Sequence, residues 1–175
     1  MTRAVEHDAM AQPASQSLVV LILELQGESF AIETRHVREI LDPVPVTAVP
    51  GAEQAVDGLI NVRGRVVPLA DLRLLFGMPQ QEAGRDARIV VIEVPVDGDA
   101  TTIGIRADKV NEVTELASAS LEATPRLGLR WDPEFITCIG KRNDDFVAVL
   151  DMGCIFARVV TRTHATAAVP NAAAA

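Results

Sequence analysis

Short apolar segments separated by turn residues follow one another along the chain between residues 17 and 160. Residues 18–25, LVVLILEL, are apolar at successive positions, a pattern typical of a strand covered on both faces. A Gln-Gly turn leads from this segment into SFAIE at 29–33, and the pair predicts a β-hairpin. Similar spacing further along indicates a protein built mainly of short antiparallel strands.

A second hairpin is predicted within residues 58–77, GLINVRGRVVPLADLRLLFG. Apolar segments flank its turn, and Gly64 allows a positive φ there without a steric penalty. The flanking strands would hold Arg63 outward, where its planar guanidinium could bind a carboxylate or carbonyl group of a partner. An ordinary solubilising turn arginine is the alternative. Asp71 predicts the N-cap of a short helix, Leu72–Phe76.

The second half of the chain repeats the first. FAIETRHVREI at 30–40 aligns with IGIRADKVNEV at 103–113, and VVPLADLRLLF at 66–76 aligns with FVAVLDMGCIF at 146–156. The alignments place Glu39 on Glu112 and Asp71 on Asp151, which predicts the cap of a second helix. Because the aspartates match as well as the aliphatic residues, an internal duplication is favoured over chance matching.

The repeat predicts two similar units of about five short strands plus a short helix. Short antiparallel strands in this number tend to close into small barrels, because closure removes exposed edges. The turn Arg63-Gly64 has no counterpart in the second unit, where the matching turn carries Lys141, Arg142 and Asn143. We therefore place the partner contact on the first unit. Residues 1–16 and the Ala-rich segment 161–175 are expected to be disordered tails.

Composition supports this fold and argues against nucleic-acid binding as the function. The chain has 175 residues, of which 49% are hydrophobic and only six are aromatic, so branched aliphatic side chains must fill the core. A net charge of −8 disfavours binding to nucleic acid, and the scarcity of aromatic residues argues against a barrel that stacks single-stranded bases. Trp131, the only tryptophan, is expected to anchor the core or the barrel junction rather than to recognise a partner.

No catalytic set is apparent. His36 is the only histidine outside the predicted tails, and it lies among charged residues. Cys138 and Cys154 are too far apart for a CxxC motif and are interpreted as reduced, buried thiols, so no metal site and no cofactor are expected. The N-terminus lacks the apolar segment of a signal peptide, which predicts a soluble intracellular protein. An enzyme with an unrecognised site stays open as an alternative.

The segment 58–77 resembles the CheW-like family of chemotaxis coupling proteins. The residues that carry the resemblance are Gly58-Leu59-Ile60-Asn61-Val62-Arg63-Gly64, Val66-Val67-Pro68-Leu69, Asp71-Leu72-Arg73 and Phe76-Gly77. Phe30-Ala31-Ile32-Glu33, Val37-Arg38-Glu39-Ile40 and Val147-Ala148-Val149-Leu150-Asp151 are also similar to the family. The resemblance implies a mainly β fold with two tandem five-stranded SH3-like β-barrel subdomains packed on each other and a few short helices. It implies one CheW-like domain over residues 17–160, with intertwined subdomains at about 17–80 and 86–160.

The resemblance further implies a non-enzymatic adaptor in the cytoplasm, at membrane-associated chemoreceptor arrays and without direct membrane insertion. Its partners would be the CheW-like regulatory domain of the histidine kinase CheA and the cytoplasmic tip of a methyl-accepting chemoreceptor; CheW-only rings are a further option. A CheW-like scaffold of pilus motility or surface sensing is the alternative. By resemblance, the partner-binding residues are Val37, Glu39, Ile40, Gly58, Leu59, Arg63 and Gly64. Glu39 and Arg63 would form an ion pair.

Overall fold

The structure is a computed structural model that describes residues 17–51, 55–96, 98–125, 130–142 and 145–166, with side chains as far as Val159. The described residues form β1 (Leu18–Leu25), β2 (Glu28–Glu33), β3 (Val37–Leu41), β4 (Val56–Val62), β5 (Arg65–Ala70), α1 (Leu72–Leu75), β6 (Arg88–Val96), β7 (Asp99–Ala107), β8 (Lys109–Leu116), β9 (Leu121–Glu122), β10 (Ile136–Arg142), β11 (Asp145–Leu150) and α2 (Met152–Thr166). The mainly β class predicted from the sequence is confirmed.

The strands form two sheets. The first, sheet A, has the order β8-β1-β2-β11-β10-β9, and the second, sheet B, has the order β3-β6-β7-β5-β4. Neighbouring strands are antiparallel except for two short parallel contacts, β2 with β11 and β5 with β7. We call the barrel formed by sheet A barrel A and the one formed by sheet B barrel B.

The two halves of the chain do not each form one barrel. Sheet A combines β1 and β2 from the first half with β8–β11 from the second, and sheet B combines β6 and β7 from the second half with β3–β5 from the first. The bounds 17–80 and 86–160 therefore describe the repeat units but not the barrels. Four pairings connect the halves: the parallel contacts of β2 with β11 and β5 with β7, and the antiparallel pairs β1–β8 and β3–β6.

Three groups of buried apolar side chains hold the fold together. One lies on strands of sheet A alone, and a second lies on strands of sheet B alone. The third and largest draws on both sheets and both helices, and we call it the inter-barrel core. Alternate residues of β1 serve different groups: Val20 and Ile22 fill barrel A, whereas Leu21 and Leu23 face the inter-barrel core. This explains why β1 is apolar at successive positions.

Both predicted helix caps are present. The Asp71 side chain accepts a hydrogen bond from the Arg73 N–H at 3.1 Å, and the Asp151 side chain accepts one from the Cys154 N–H at 2.8 Å. α1 ends one residue earlier than predicted, at Leu75, with Phe76 as its C-cap.

Helix α2, predicted to span Met152–Val160, continues to Thr166, so the prediction of a disordered segment is wrong for residues 161–166. These residues include neither glycine nor proline, and each residue added to an existing helix gains a backbone hydrogen bond. Residues 167–175 and the predicted tail 1–16 lie outside the described part of the chain.

Candidate partner-binding surfaces

The β4–β5 turn is a two-residue hairpin turn in which both central residues have positive φ. Arg63 has a φ of 51° and Gly64 a φ of 85°. This geometry matches the right-handed twist of the flanking strands. The Asn61 side-chain oxygen accepts a hydrogen bond from the Gly64 N–H at 2.7 Å and stabilises the turn from within. The sequence indicated the glycine but not that Arg63 also adopts the left-handed region.

Arg63 and Glu39 form the ion pair that the resemblance implied. Nε and Nη2 of Arg63 lie 3.1 Å and 2.9 Å from the same carboxylate oxygen of Glu39. Glu39 lies on β3 and Arg63 at the end of β4, and these two strands are the edges of sheet B. The Arg63 side chain stays 81% exposed, so the pair itself adds little stability, about 0–1 kcal/mol. Its effect is to fix the direction of the guanidinium at the surface.

Gly58 is buried and shapes the surface without being part of it. A β-carbon at this position would lie 2.5 Å from the Thr47 carbonyl oxygen and 2.7 Å from a Val46 methyl group. The close approach exists because Thr47 and Leu59 exchange two backbone hydrogen bonds of 2.8 Å, which cover the outer edge of β4. Only glycine leaves room for this contact.

A shallow apolar groove of about 440 Å³ lies beside Leu59. We call it the first groove; it is lined by Val44, Pro45, Thr47, Leu59, Ile60, Asn61 and Val66. Val66, next to the turn, is 72% exposed, and the resemblance did not assign it a role. The alternation of β5 could have revealed it, because Val67 is buried and Val66 therefore faces outward.

The two remaining predicted residues lie on β3 and differ in exposure. Val37 packs partly against the inter-barrel core, whereas Ile40 is 43% exposed. A bulge in the pairing of β3 with β6 falls between Val37 and Glu39. Thus the structure joins Glu39 to Arg63 and Leu59 to Val66, and it places Val37 and Ile40 on the same strand as Glu39.

Barrel A also has an arginine–glutamate ion pair near the tip of a hairpin. This corrects the expectation that Arg63 has no counterpart in the second unit. Arg142, one residue before the position that aligns with Arg63, forms an ion pair with Glu112, the counterpart of Glu39. Val113, the counterpart of Ile40, is 59% exposed. The tip of this hairpin, residues 143–144, lies outside the described residues.

A second groove accompanies this ion pair. It measures about 530 Å³, and we call it the second groove; it is lined by Glu28, Ser29, Glu122, Ala123, Pro125, Trp131, Ile139, Phe146 and Ala148. Ile139 and Phe146 align with Leu59 and Val66 of the first groove. Phe146 is 62% exposed and adds a large apolar side chain to the lining of this groove.

Trp131 is part of the inter-barrel packing, as predicted for a junction anchor. Its ring centroid lies 5.0 Å from that of Phe30 in an edge-on arrangement and 6.1 Å from that of Phe76. Phe30 belongs to β2 and Phe76 caps α1, so the indole contacts elements of both barrels. Its buried N–H finds no hydrogen-bond partner within the described part of the chain.

The titratable groups of the described residues are mostly joined in ion pairs. Where carboxylates converge near α1, Asp71 pairs with Arg73 and Asp57 with Arg106. Cys138 and Cys154 are free thiols, as predicted, but they are half-buried rather than buried. Their partial burial raises the pKa of both thiols, which is opposite to the activation of a nucleophile. Across the described ranges, no three His, Cys, Asp or Glu side chains cluster as metal ligands would, and no helix is long and apolar enough to span a membrane.

Two SH3-like barrels, each with an exposed apolar groove and an arginine–glutamate ion pair, define a class of double-barrel β proteins. Comparison with known protein families identifies the domain: residues 19–160 match the CheW-like domain. The chain belongs to the CheW-like domain family.

Named relatives agree with this assignment. The chain is 30% identical over 123 residues to the chemotaxis protein CheW of Helicobacter pylori, covering 70% of this chain and 72% of the relative. It is 27% identical over 155 residues to that of Bacillus subtilis, covering 88% and 94%. Among solved structures, the scaffolding protein TtCheW of Thermoanaerobacter tengcongensis superimposes with a TM-score of 0.71 at 25% identity, covering 86% of this chain and 94% of that one.

Proposed function

We propose that this protein is a non-enzymatic adaptor of bacterial chemosensory signalling. It couples the cytoplasmic tips of methyl-accepting chemoreceptors to the histidine kinase CheA by binding the CheW-like regulatory domain of the kinase. It acts in the cytoplasm, at membrane-associated receptor arrays. Membership of the CheW-like family and relatives named as chemotaxis proteins support this role.

The observation that carries the proposal is the exposed Arg63–Glu39 pair beside the first groove. A guanidinium that is fixed by its turn and by Glu39 loses little conformational freedom when it binds a partner carboxylate or carbonyl. Leu59 and Val66 provide apolar surface in the first groove, and Ile40 adds an exposed apolar side chain next to Glu39 on β3. A charged anchor surrounded by apolar contacts is typical of an interface centre.

The seven residues assigned by resemblance would then contribute in different ways. Arg63, Glu39, Ile40 and Leu59 contact the partner directly. Gly58 and Gly64 act through the backbone, since one admits the Thr47 contact and the other permits the turn. Val37 supports Glu39 from the partly buried end of β3.

An adaptor must bind more than one partner at once, and the internal repeat provides two candidate partner-binding faces. The Arg142–Glu112 pair and the second groove place a similar set of groups on barrel A. Two quasi-equivalent faces on one chain permit alternation with a related double-barrel domain and hence closed rings, including rings of this protein alone.

A charge reversal at the tip tests the proposal. Arg63→Glu should leave the fold intact, because the side chain is exposed, and should weaken binding to the kinase regulatory domain, the receptor tip or both. Affinity for each partner is measured by calorimetric titration, with circular dichroism to verify folding. Arg85→Glu, an identical charge change in the exposed connection before β6, is the matched control. Unchanged affinity of Arg63→Glu for both partners would contradict the assignment of this surface.

The alternative is a CheW-like scaffold in a pathway other than chemotaxis, such as pilus motility or surface sensing. The chain is 32% identical over 82 residues to the protein PilI of Pseudomonas aeruginosa, which covers 47% of this chain and 46% of the relative. Purification of the tagged protein from its native cell, with identification of the bound kinase and receptor, separates the two pathways. A pilus-associated kinase in place of a chemotaxis kinase would favour the alternative.

A further inference from the structure

Helix α1 joins the two barrels. It follows β5 of sheet B, and its C-cap residue Phe76 stacks on Phe30 of β2 in sheet A, with ring centroids 5.3 Å apart. The helix therefore presents an apolar side chain to the inter-barrel core. Its second residue, Arg73, has a different environment.

Arg73 is an almost completely buried arginine, with a side chain that is 2% exposed. Its Nε and Nη2 donate to the two carboxylate oxygens of Asp71 at 2.9 Å and 2.8 Å. Its Nη1 donates to Oδ1 of Asp108 at 2.9 Å. Hydrogen bonding to Asp71 is the main reason that the pKa of Arg73 is raised, so the guanidinium stays charged despite its burial.

Asp108 lies at the crossover between sheets, after β7 of sheet B and before β8 of sheet A. Its Oδ2 accepts a hydrogen bond of 2.7 Å from the Gln26 N–H, in the β1–β2 turn of sheet A. Its own N–H donates to the Glu24 carbonyl at 3.0 Å. A continuous chain of polar contacts thus runs from α1 to the β1–β2 turn. We call Asp71, Arg73, Asp108 and Gln26 the Arg73 node.

The segment after α1 also contacts the β1–β2 turn and Arg73. The Gln26 side-chain amide donates to the Pro79 carbonyl at 2.7 Å. The Met78 N–H donates to the Arg73 carbonyl at 2.8 Å. The β1–β2 turn of barrel A is therefore bound directly by the connection that follows α1, and it is linked to the helix itself through Asp108.

The internal repeat does not reproduce this node. The positions that align with Arg73 and Asp108 hold Gly153 and Arg35. Gly153 has no side chain, and Arg35 is an exposed residue paired with Glu33. At the repeat-related position, the corresponding groups therefore cannot form the same polar chain. Apolar packing is non-directional, whereas a buried guanidinium with three fixed acceptor oxygens permits one arrangement only.

We propose that the Arg73 node is a positioning device that sets the angle between barrel A and barrel B, and with it the angle between the two partner-binding faces. The importance of that angle rests on the proposed adaptor function, but the angle itself does not. Arg73 and Asp108 act as positioning residues and contact no partner. A chain that lacks the node would keep both barrels and the inter-barrel core, but the angle between the barrels would vary over a wider range.

The first measurement is the distance between the barrels. Spin labels on cysteines at Arg65, on the β4–β5 hairpin, and Glu115, on β8, report it by double electron–electron resonance. Cys138 and Cys154 are replaced by alanine in this background. Asp108→Ala is the test variant, because it breaks the link to Gln26 and leaves the Arg73–Asp71 pair in place. We expect a shifted and broader distance distribution, partly restored in Asp108→Asn.

Glu33→Ala is the matched control, since Glu33 also pairs with an arginine, Arg35, and neither residue belongs to the node. Its distribution should coincide with that of the wild type. An unchanged distribution in Asp108→Ala, or equal broadening in Glu33→Ala, would overturn the proposal. Titration of the same variants with the isolated kinase regulatory domain separates the two claims: if the wild type fails to bind, the adaptor function fails while the distance result stands.

Discussion

Gly58→Ala tests the packing under the first groove. The new methyl carbon would lie 2.5 Å from the Thr47 carbonyl oxygen, a backbone atom that cannot rotate away as a flexible side chain could. The φ of 153° at this residue is a second obstacle, because L-residues rarely adopt it. Alanine must therefore either displace the 44–47 segment or change the backbone of β4.

The expected loss of stability is the sum of the backbone strain at this position and the steric overlap of the added methyl group. A non-glycine residue in a sparsely populated backbone region costs about 1–3 kcal/mol. An inserted carbon in a filled site costs about 1–3 kcal/mol more. We expect Gly58→Ala to lower the free energy of unfolding by about 2–6 kcal/mol, a large share of the roughly 5–15 kcal/mol that holds a domain folded.

The assay is urea unfolding followed by circular dichroism and by the fluorescence of Trp131, which reports the barrel junction. Gly64→Ala is the matched control, because Gly64 has a positive φ but no atom of the described neighbours lies within 4 Å of the position that a β-carbon would take. It should lose only the conformational term, about 1–2 kcal/mol. If Gly58→Ala loses no more stability than Gly64→Ala, the steric account of Gly58 is refuted.

Three further changes have defined outcomes. Asp71→Ala should lower the free energy of unfolding in urea by about 3–5 kcal/mol, because it removes the main partner of the buried Arg73. Loss of the helix cap alone would lower it by roughly 1 kcal/mol, and a loss of that size would contradict the prediction. Phe146→Asp should weaken one of two kinase-domain contacts in titration and leave the circular dichroism spectrum unchanged; full two-site binding would contradict a role for the second groove. Cys138 and Cys154 should react with a thiol reagent at about pH 8 more slowly in the native protein than in urea, because burial raises their pKa and reduces the thiolate fraction; equal rates would contradict this.

Local features of the fold could be predicted from the sequence because they depend on neighbouring residues. The first hairpin, the Arg63-Gly64 turn and the caps at Asp71 and Asp151 all follow from short-range rules. The doubly apolar pattern of β1 also indicated correctly that both faces are buried. The duplication could be found because each unit preserves its spacing.

Pairing between distant strands could not be predicted in the same way. Periodicity shows that a strand is buried but not which strand lies beside it, so the resemblance implied intertwined subdomains while the strands that the halves exchange could not be named. Arg73 was missed as a buried residue because a charged side chain after a cap is usually exposed. The Arg142–Glu112 pair was missed because Arg142 is displaced by one position from the aligned tip.

The exchange of strands between the halves has a consequence for synthesis on the ribosome. Barrel B has all of its strands once β7 has left the exit tunnel, whereas barrel A must wait for β11, which pairs with β2 from the start of the chain. The emerging chain therefore cannot complete an N-terminal barrel first, as chains of sequential domains do. Its first hairpin lacks β11 for more than a hundred residues of translation, so nascent-chain chaperones have an extended interval in which to bind it.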